Sequence, residues 1–140
     1  MLKGKLLHPQ ILDVLGRCGH YSRILIADGN YPYASLSSPE ATKVYLNLMP
    51  GVPRTTQVLD ALLDSLVIQD ASVVQVPEGE SAAVQDEYAR MLGEVPITRL
   101  ERQAFYDAVC SPMTALVIAT AEPRRFANLL LTVGVVKPST

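Results

Sequence analysis

Apolar residues in this chain follow two periods, one near 3.6 and one near 2, and the periods alternate from segment to segment. Between Pro9 and Cys18, the residues Ile11, Leu15 and Cys18 fall on one face, with Leu12 and Val14 beside them. That spacing predicts a helix; Pro9 suits its first turn and Gly19 stops it. Arg23-Ile24-Leu25-Ile26-Ala27 is a short apolar run followed by turn formers, which predicts a buried, parallel strand. Asp28 to Ser35, with Gly29, Asn30 and Pro32, reads as a loop. From Lys43 to Leu48, Val44, Leu46 and Leu48 alternate with Lys43, Tyr45 and Asn47, and this predicts a second strand broken by Pro50-Gly51.

Thr55 or Thr56 can cap a helix whose stripe is Val58, Leu59, Leu62, Leu63 and Leu66. Ala71 to Val76 predicts a third strand, ended by Pro77. Helices are predicted over Ser81–Leu92, with Val84, Tyr88 and Met91 or Leu92 inward, and over Glu101–Val109, with Phe105 and Val109 inward. Ala115–Ala119 and Leu129–Val136 are apolar runs that read as strands, although Gly134 interrupts the second. Strands alternating with helices imply an α/β layered fold, a single domain over residues 1–140 with a mainly parallel central sheet flanked by helices.

Composition narrows the function classes. A chain of 140 residues with 49% hydrophobic and 19% charged residues is globular and long enough to bury a core without a metal or disulfide staple. A formal net charge of −2 gives no footing for a nucleic-acid or anionic-membrane partner. No apolar run approaches the ~18 residues of a membrane span. Met1-Leu2-Lys3-Gly4-Lys5 leads directly into helix signals with no secretory h-region, so a cytoplasmic location is expected. Cys18 and Cys110 are read as reduced and buried, and His8 and His20, the only histidines, make no metal pattern.

Three places could carry chemistry. Asp28 follows a buried strand, where open α/β sheets bind ligands, and His20 follows a helix stop. An aspartate there can accept hydrogen bonds from sugar hydroxyls, and a histidine can move a proton near neutral pH; the same residues suit a cap and a surface histidine. Arg102 and Tyr106 share one helix face opposite Phe105 and Val109, as a donor pair or as a solvated face. Thr120 to Asn128 follows an apolar strand. Asn128 could bind a hydroxyl as donor and acceptor, whereas Arg124-Arg125, without a Gly-rich loop, read as two solvated basic residues.

In order along the chain, these places resemble the D-ribose pyranase and L-fucose mutarotase family. Lys3-Gly4 through Leu7 and then Gly19-His20 resemble its N-terminal Gly-His motif, and Asp28 and Pro32 match its Asp loop. Gly51-Val52-Pro53 with Gln57-Val58-Leu59 looks like the ribose branch, and Arg102 with Phe105-Tyr106 looks like the fucose branch. Phe126-Ala127-Asn128, the apolar run after it and Gly134-Val135 resemble the family's Tyr-Ala-Asn or Tyr-Gly-Asn segment and final strand.

The resemblance implies a Rossmann-like subunit that opens and recloses a free monosaccharide ring without metal, nucleotide or other cofactor. It implies ring-based homo-oligomers, often decamers, with sites near subunit contacts. By match, His20 is the proton-transfer residue, Asp28 either orients it or binds a hydroxyl, and Arg102, Phe126 and Asn128 hold the sugar. The chain departs from the family at Phe126, where a tyrosine is usual; Tyr31, Tyr33 and Tyr106 are the candidates to supply that phenol. The rival classes are a non-catalytic sugar-binding or regulatory module, favoured by Phe126, and a nucleotide-binding domain, disfavoured by the missing Gly-rich loop.

Overall fold

A computed structural model describes residues 1–139; Thr140, the last residue of the expected domain, lies outside them. Ten elements follow one another: α1 (Pro9–Arg17), β1 (Arg23–Ala27), β2 (Thr42–Tyr45), α2 (Thr55–Leu63), β3 (Ile68–Val74), α3 (Ala83–Leu92), β4 (Ile97–Leu100), α4 (Arg102–Val109), β5 (Thr114–Ala119) and β6 (Leu129–Val133). The strands form one sheet in the order β2-β5-β1-β6-β3-β4. β1 runs parallel to β5, β5 to β2, and β3 to β4, while β6 is antiparallel to both β1 and β3. The sheet is therefore mainly parallel, as the apolar runs suggested.

Side chains alternate between its two faces. Ile24, Ile26, Val73, Leu116, Ile118, Leu129 and Leu131 meet α1, α2 and α3 on one side. Leu25, Val117, Leu130 and Val74 meet Phe105 and Val109 of α4 and Tyr31 of the β1–β2 loop on the other. Leu59 and Leu62 of α2 are wholly buried, each stabilising the fold by roughly 1.5–3 kcal/mol. The cap of α1 is His8, whose Nδ1 accepts from the Ile11 N–H at 3.4 Å.

Several details differ from the sequence pattern. β4 was not expected: it is a four-residue edge strand in which only Ile97 and Leu100 turn partly inward, too short for a period to show. β2 ends at Tyr45 because Leu48 and Met49 swing into a turn, closed by a Met49–Val52 bridge. β3 starts at Ile68, and β6 stops at Val133 before Gly134. Cys18 and Cys110 are free thiols but half-buried rather than buried. Among the described residues no helix is long and apolar enough to cross a membrane.

Candidate functional site

All parallel strands of the sheet end on the same side, and the antiparallel β6 begins there. Asp28 leaves β1 at this end and is 4% exposed. Its backbone N–H donates to Asn128 Oδ1 at 2.7 Å, which ties the exit of β1 to the entry of β6. Its own Oδ1 accepts from the Asn30 N–H at 3.0 Å and closes a tight turn. Gly29 follows because space is short: its N–H donates to Glu122 O at 2.8 Å, and a Cβ there would stand 3.1 Å from that oxygen. Burial raises the Asp28 carboxyl above the usual aspartate range, backbone donors from Asn30, Ala127 and Tyr31 work against the shift, and the nearby Glu122 charge adds to it.

A cavity of about 300 Å³ opens beside this junction. Asp28, Tyr31, Arg102, Tyr106, Phe126 and Asn128 all line it, so every sequence candidate except His20 and Tyr33 meets in one place. Arg102 arrives as the first residue of α4, directly after β4, with Glu101 as its cap accepting from the Gln103 N–H at 3.2 Å. Tyr106 stands one helical turn on and meets the Tyr31 ring edge-on at 6.0 Å between centroids. Phe126 has φ of 59°, a left-handed conformation that a side chain adopts only when held. Arg125, which the sequence pattern did not single out for the site, lies over the Phe126 ring with its guanidinium carbon 4.8 Å from the centroid and pairs with Glu80 at 2.9 Å.

The polar tips are distributed unevenly. Asn128 Oδ1 is engaged, so Nδ2 is the end left to donate into the cavity. Tyr31 donates to Leu36 O at 2.7 Å, and the Tyr33 hydroxyl lies 2.6 Å from Asp28 O and 3.0 Å from Thr120 O. Both phenols are spent on the backbone. Tyr106 lines the cavity, and its hydroxyl has no protein partner among the described residues.

His20, the proton-transfer candidate, is elsewhere. It lies in the turn before β1, at the opposite end of that five-residue strand (about 16 Å long) from Asp28. Its ring stacks on Tyr21 with centroids 3.8 Å apart, and Nε2 lies 2.8 Å from Gln69 Oε1. Within one chain, then, Asp28 does not orient His20.

The loop between β5 and β6 is set by buried charge. Glu122 is fully buried and accepts from Thr55 Oγ1 at 3.0 Å and from Arg124 Nε and NH2 at 3.0 and 2.9 Å. Arg124 also bonds Glu87. Burial alone would raise the Glu122 carboxyl, but these donors outweigh it and hold it below the usual glutamate range. Arg124 is thus not the solvated residue that its doublet with Arg125 suggested; it is the counterion of a buried carboxylate. A second hollow of about 410 Å³ adjoins the cavity across Gly29 and Asn30. Among the described residues its only ionisable lining residue is Glu122, whose carboxylate is turned inward onto Arg124 and Thr55, so the chemistry-bearing groups belong to the smaller cavity.

Comparison with known proteins decides the family. The family model described as the RbsD / FucU transport protein family matches residues 1–136. The chain belongs to that family. Within it, the D-ribose pyranase of Streptomyces coelicolor is 31% identical over 139 residues, covering 96% of this chain and 98% of that protein. The fucose mutarotase of Danio rerio is 27% identical over 157 residues, covering 99% and 96%. Among solved structures, the Streptococcus pneumoniae fucose mutarotase in complex with L-fucose superposes with a TM-score of 0.79 at 26% identity, over 93% of this chain and 94% of that one. Bacillus subtilis RbsD complexed with D-ribose shares the fold, with a TM-score of 0.85 at 23% identity over 98% and 100% of the two chains.

Proposed function

We propose that this protein is a monosaccharide mutarotase or pyranase that opens and recloses the ring of a free aldose of the L-fucose or D-ribose kind. The observation that carries the reading is the meeting of Asp28, Arg102, Tyr106 and Asn128 around one small cavity in a chain whose relatives bear both enzyme names. Asp28 accepts from a sugar hydroxyl, and Arg102 and Asn128 Nδ2 donate to others. Phe126 packs against the carbon skeleton, and Tyr106 supplies the phenol that Phe126 lacks. Ring opening removes a proton from the anomeric hydroxyl and delivers one to the ring oxygen. Closure reverses both transfers, with no net change in electrons. The reading therefore needs no cofactor.

His20 is the proton-transfer residue in this proposal, and it reaches the sugar from a neighbouring copy. The two ends of the sheet differ in a way that suits such an arrangement. Leu48, Met49 and Val52 are exposed apolar residues beside the cavity end, while Tyr21, Val67, Met113 and Val135 are exposed around the His20 end. Two unlike patches at opposite ends suit a head-to-tail interface, and head-to-tail interfaces close into rings. We infer a ring-based homo-oligomer, with a decamer of two rings as the working size. Free thiols suit a reducing compartment, and we assign the protein to the cytoplasm.

Exchange NMR across a sugar panel tests the reading. The expected result is faster exchange between anomers, or between pyranose and furanose forms, for one sugar class at catalytic protein concentration. Sugar binding without faster exchange would make the protein a sugar-binding module instead.

A further inference from the structure

Helix α3 begins after Ala82, an N-cap residue whose side chain accepts nothing. Gln85 stands three residues on, where a glutamine ordinarily reaches back to the cap N–H. Here its Nε2 donates instead to Val74 O at 2.9 Å and to Phe126 O at 3.1 Å. The side chain is 4% exposed. Val74 and Phe126 both line the sugar cavity, one from the end of β3 and one from the loop before β6. Strand pairing does not hold these two together. The β3–β6 ladder stops at Ser72 and Leu130, short of both Val74 and Phe126. One buried amide closes that gap.

The same amide holds Phe126 where its backbone is left-handed. Tyr88, one turn along α3, braces the next residue: its hydroxyl lies 2.5 Å from both Ala127 O and Thr55 Oγ1. We propose that Gln85 is a positioning residue that sets the width of the sugar cavity, and thereby the choice among sugars, by clamping Val74 to Phe126 from behind. This inference rests on reading that cavity as the sugar site.

The test is Gln85→Met, which keeps the side-chain length and removes both donors. Val84→Ala is the control, a loss of buried packing at the adjacent position of the same helix. Two carbonyls lose their donor in Gln85→Met, so KM for the best sugar should rise about tenfold while kcat stays within about twofold. The ratio of preference between the best and second sugar should fall, and Val84→Ala should keep the parent KM and ratio. A second readout uses fluorinated phenylalanine, because the chain has only two, Phe105 and Phe126. Gln85→Met should shift or split the Phe126 fluorine signal and leave that of Phe105 in place.

Should Gln85→Met not assemble, Gln85→Glu carries the test. Its carboxylate would face two carbonyls, so KM should exceed the parent value and fall back as acid restores a donor. A parent-like KM together with an unmoved Phe126 signal in Gln85→Met, or a parent-like KM at every pH in Gln85→Glu, would overturn the proposal. A parent that speeds the exchange of no sugar would overturn the sugar reading instead, and the fluorine signals would then decide the clamp alone.

Discussion

If the cavity of one copy is completed by His20 of the next, two separately crippled chains should repair each other. His20→Ala removes the proposed proton-transfer group, at an expected loss of about 10²–10⁴-fold in exchange rate. Arg102→Ala removes the proposed charged donor to the sugar, worth roughly 1.5–3 kcal/mol, or about 10–150-fold in kcat/KM. Both residues are exposed, so neither truncation opens the core. A working site then needs Arg102 on the copy that offers the cavity and His20 on the copy that reaches in. Co-assembled at random in equal amounts, the two variants should yield about one quarter whole sites, and so about one quarter of the parent rate.

A second mixture makes the comparison decisive. The double variant co-assembled with the parent should also reach about one quarter, because a shared site needs the parent on both sides. Sites contained within one chain give different values: no recovery for the two single variants, and about one half for parent with double variant. Exchange NMR at sugar concentrations below KM reads both mixtures, and light scattering confirms that they co-assemble. No recovery in the first mixture together with about one half in the second would refute the shared site.

Three other consequences can be checked directly. Tyr106→Phe should lower kcat/KM about fivefold, the worth of one neutral hydrogen bond, and adding Phe126→Tyr should recover part of it; an unchanged Tyr106→Phe would remove that phenol from the mechanism. Asp28→Asn should raise the melting temperature near pH 7 while lowering exchange. Because the folded carboxyl is raised, stability falls as pH climbs from the ordinary aspartate range through the folded value, and the gain from Asn should vanish below that window, as thermal melts across pH would show. Glu122 is shifted the other way: its contribution is full above the ordinary glutamate range and is lost as pH falls through the lowered folded value. Glu122→Gln should therefore cost about 2 kcal/mol at pH 7, and acid titration should bring parent and variant together.

Much of this fold was legible because its strands are buried on both faces. β1 and β5 are uninterrupted apolar runs; of the predicted α2 stripe Val58, Leu59 and Leu62 are buried while Leu63 and Leu66 are half-buried, and the predicted inward residues of α4, Phe105 and Val109, are buried. β4 escaped notice for the opposite reason: an edge strand needs few apolar side chains, and four residues set no period. The cavity residues were legible through family resemblance and through the rule that ligands meet the ends of strands. Gln85 and the Glu122–Arg124 pair were not. The Gln85 amide meets carbonyls 11 and 41 positions away, and the Glu122–Arg124 pair, only two residues apart, is held by Thr55 and Glu87 at 67 and 37 positions; local pattern carries no trace of such meetings.

The reversed direction of β6 accounts for where the candidate site is. Were β6 parallel to its neighbours, the segment before it would enter from the far end of the sheet, beside Tyr21 and His20. Instead β6 pairs antiparallel with β1, Leu129 opposite Ile26, so Phe126 and Asn128 arrive where Asp28 departs. Antiparallel pairing with β3 likewise brings them to Val74, and β4 delivers Arg102 to that end because β3 and β4 are parallel. The same reversal carries Val133 to the opposite end, where its carbonyl accepts from the Tyr21 N–H at 3.0 Å, next to His20. One strand thus ties the binding groups at one end of the sheet to the histidine turn at the other. A subunit built this way holds the two halves of the proposed chemistry apart, and in the proposed ring a second subunit stacked head to tail brings them together.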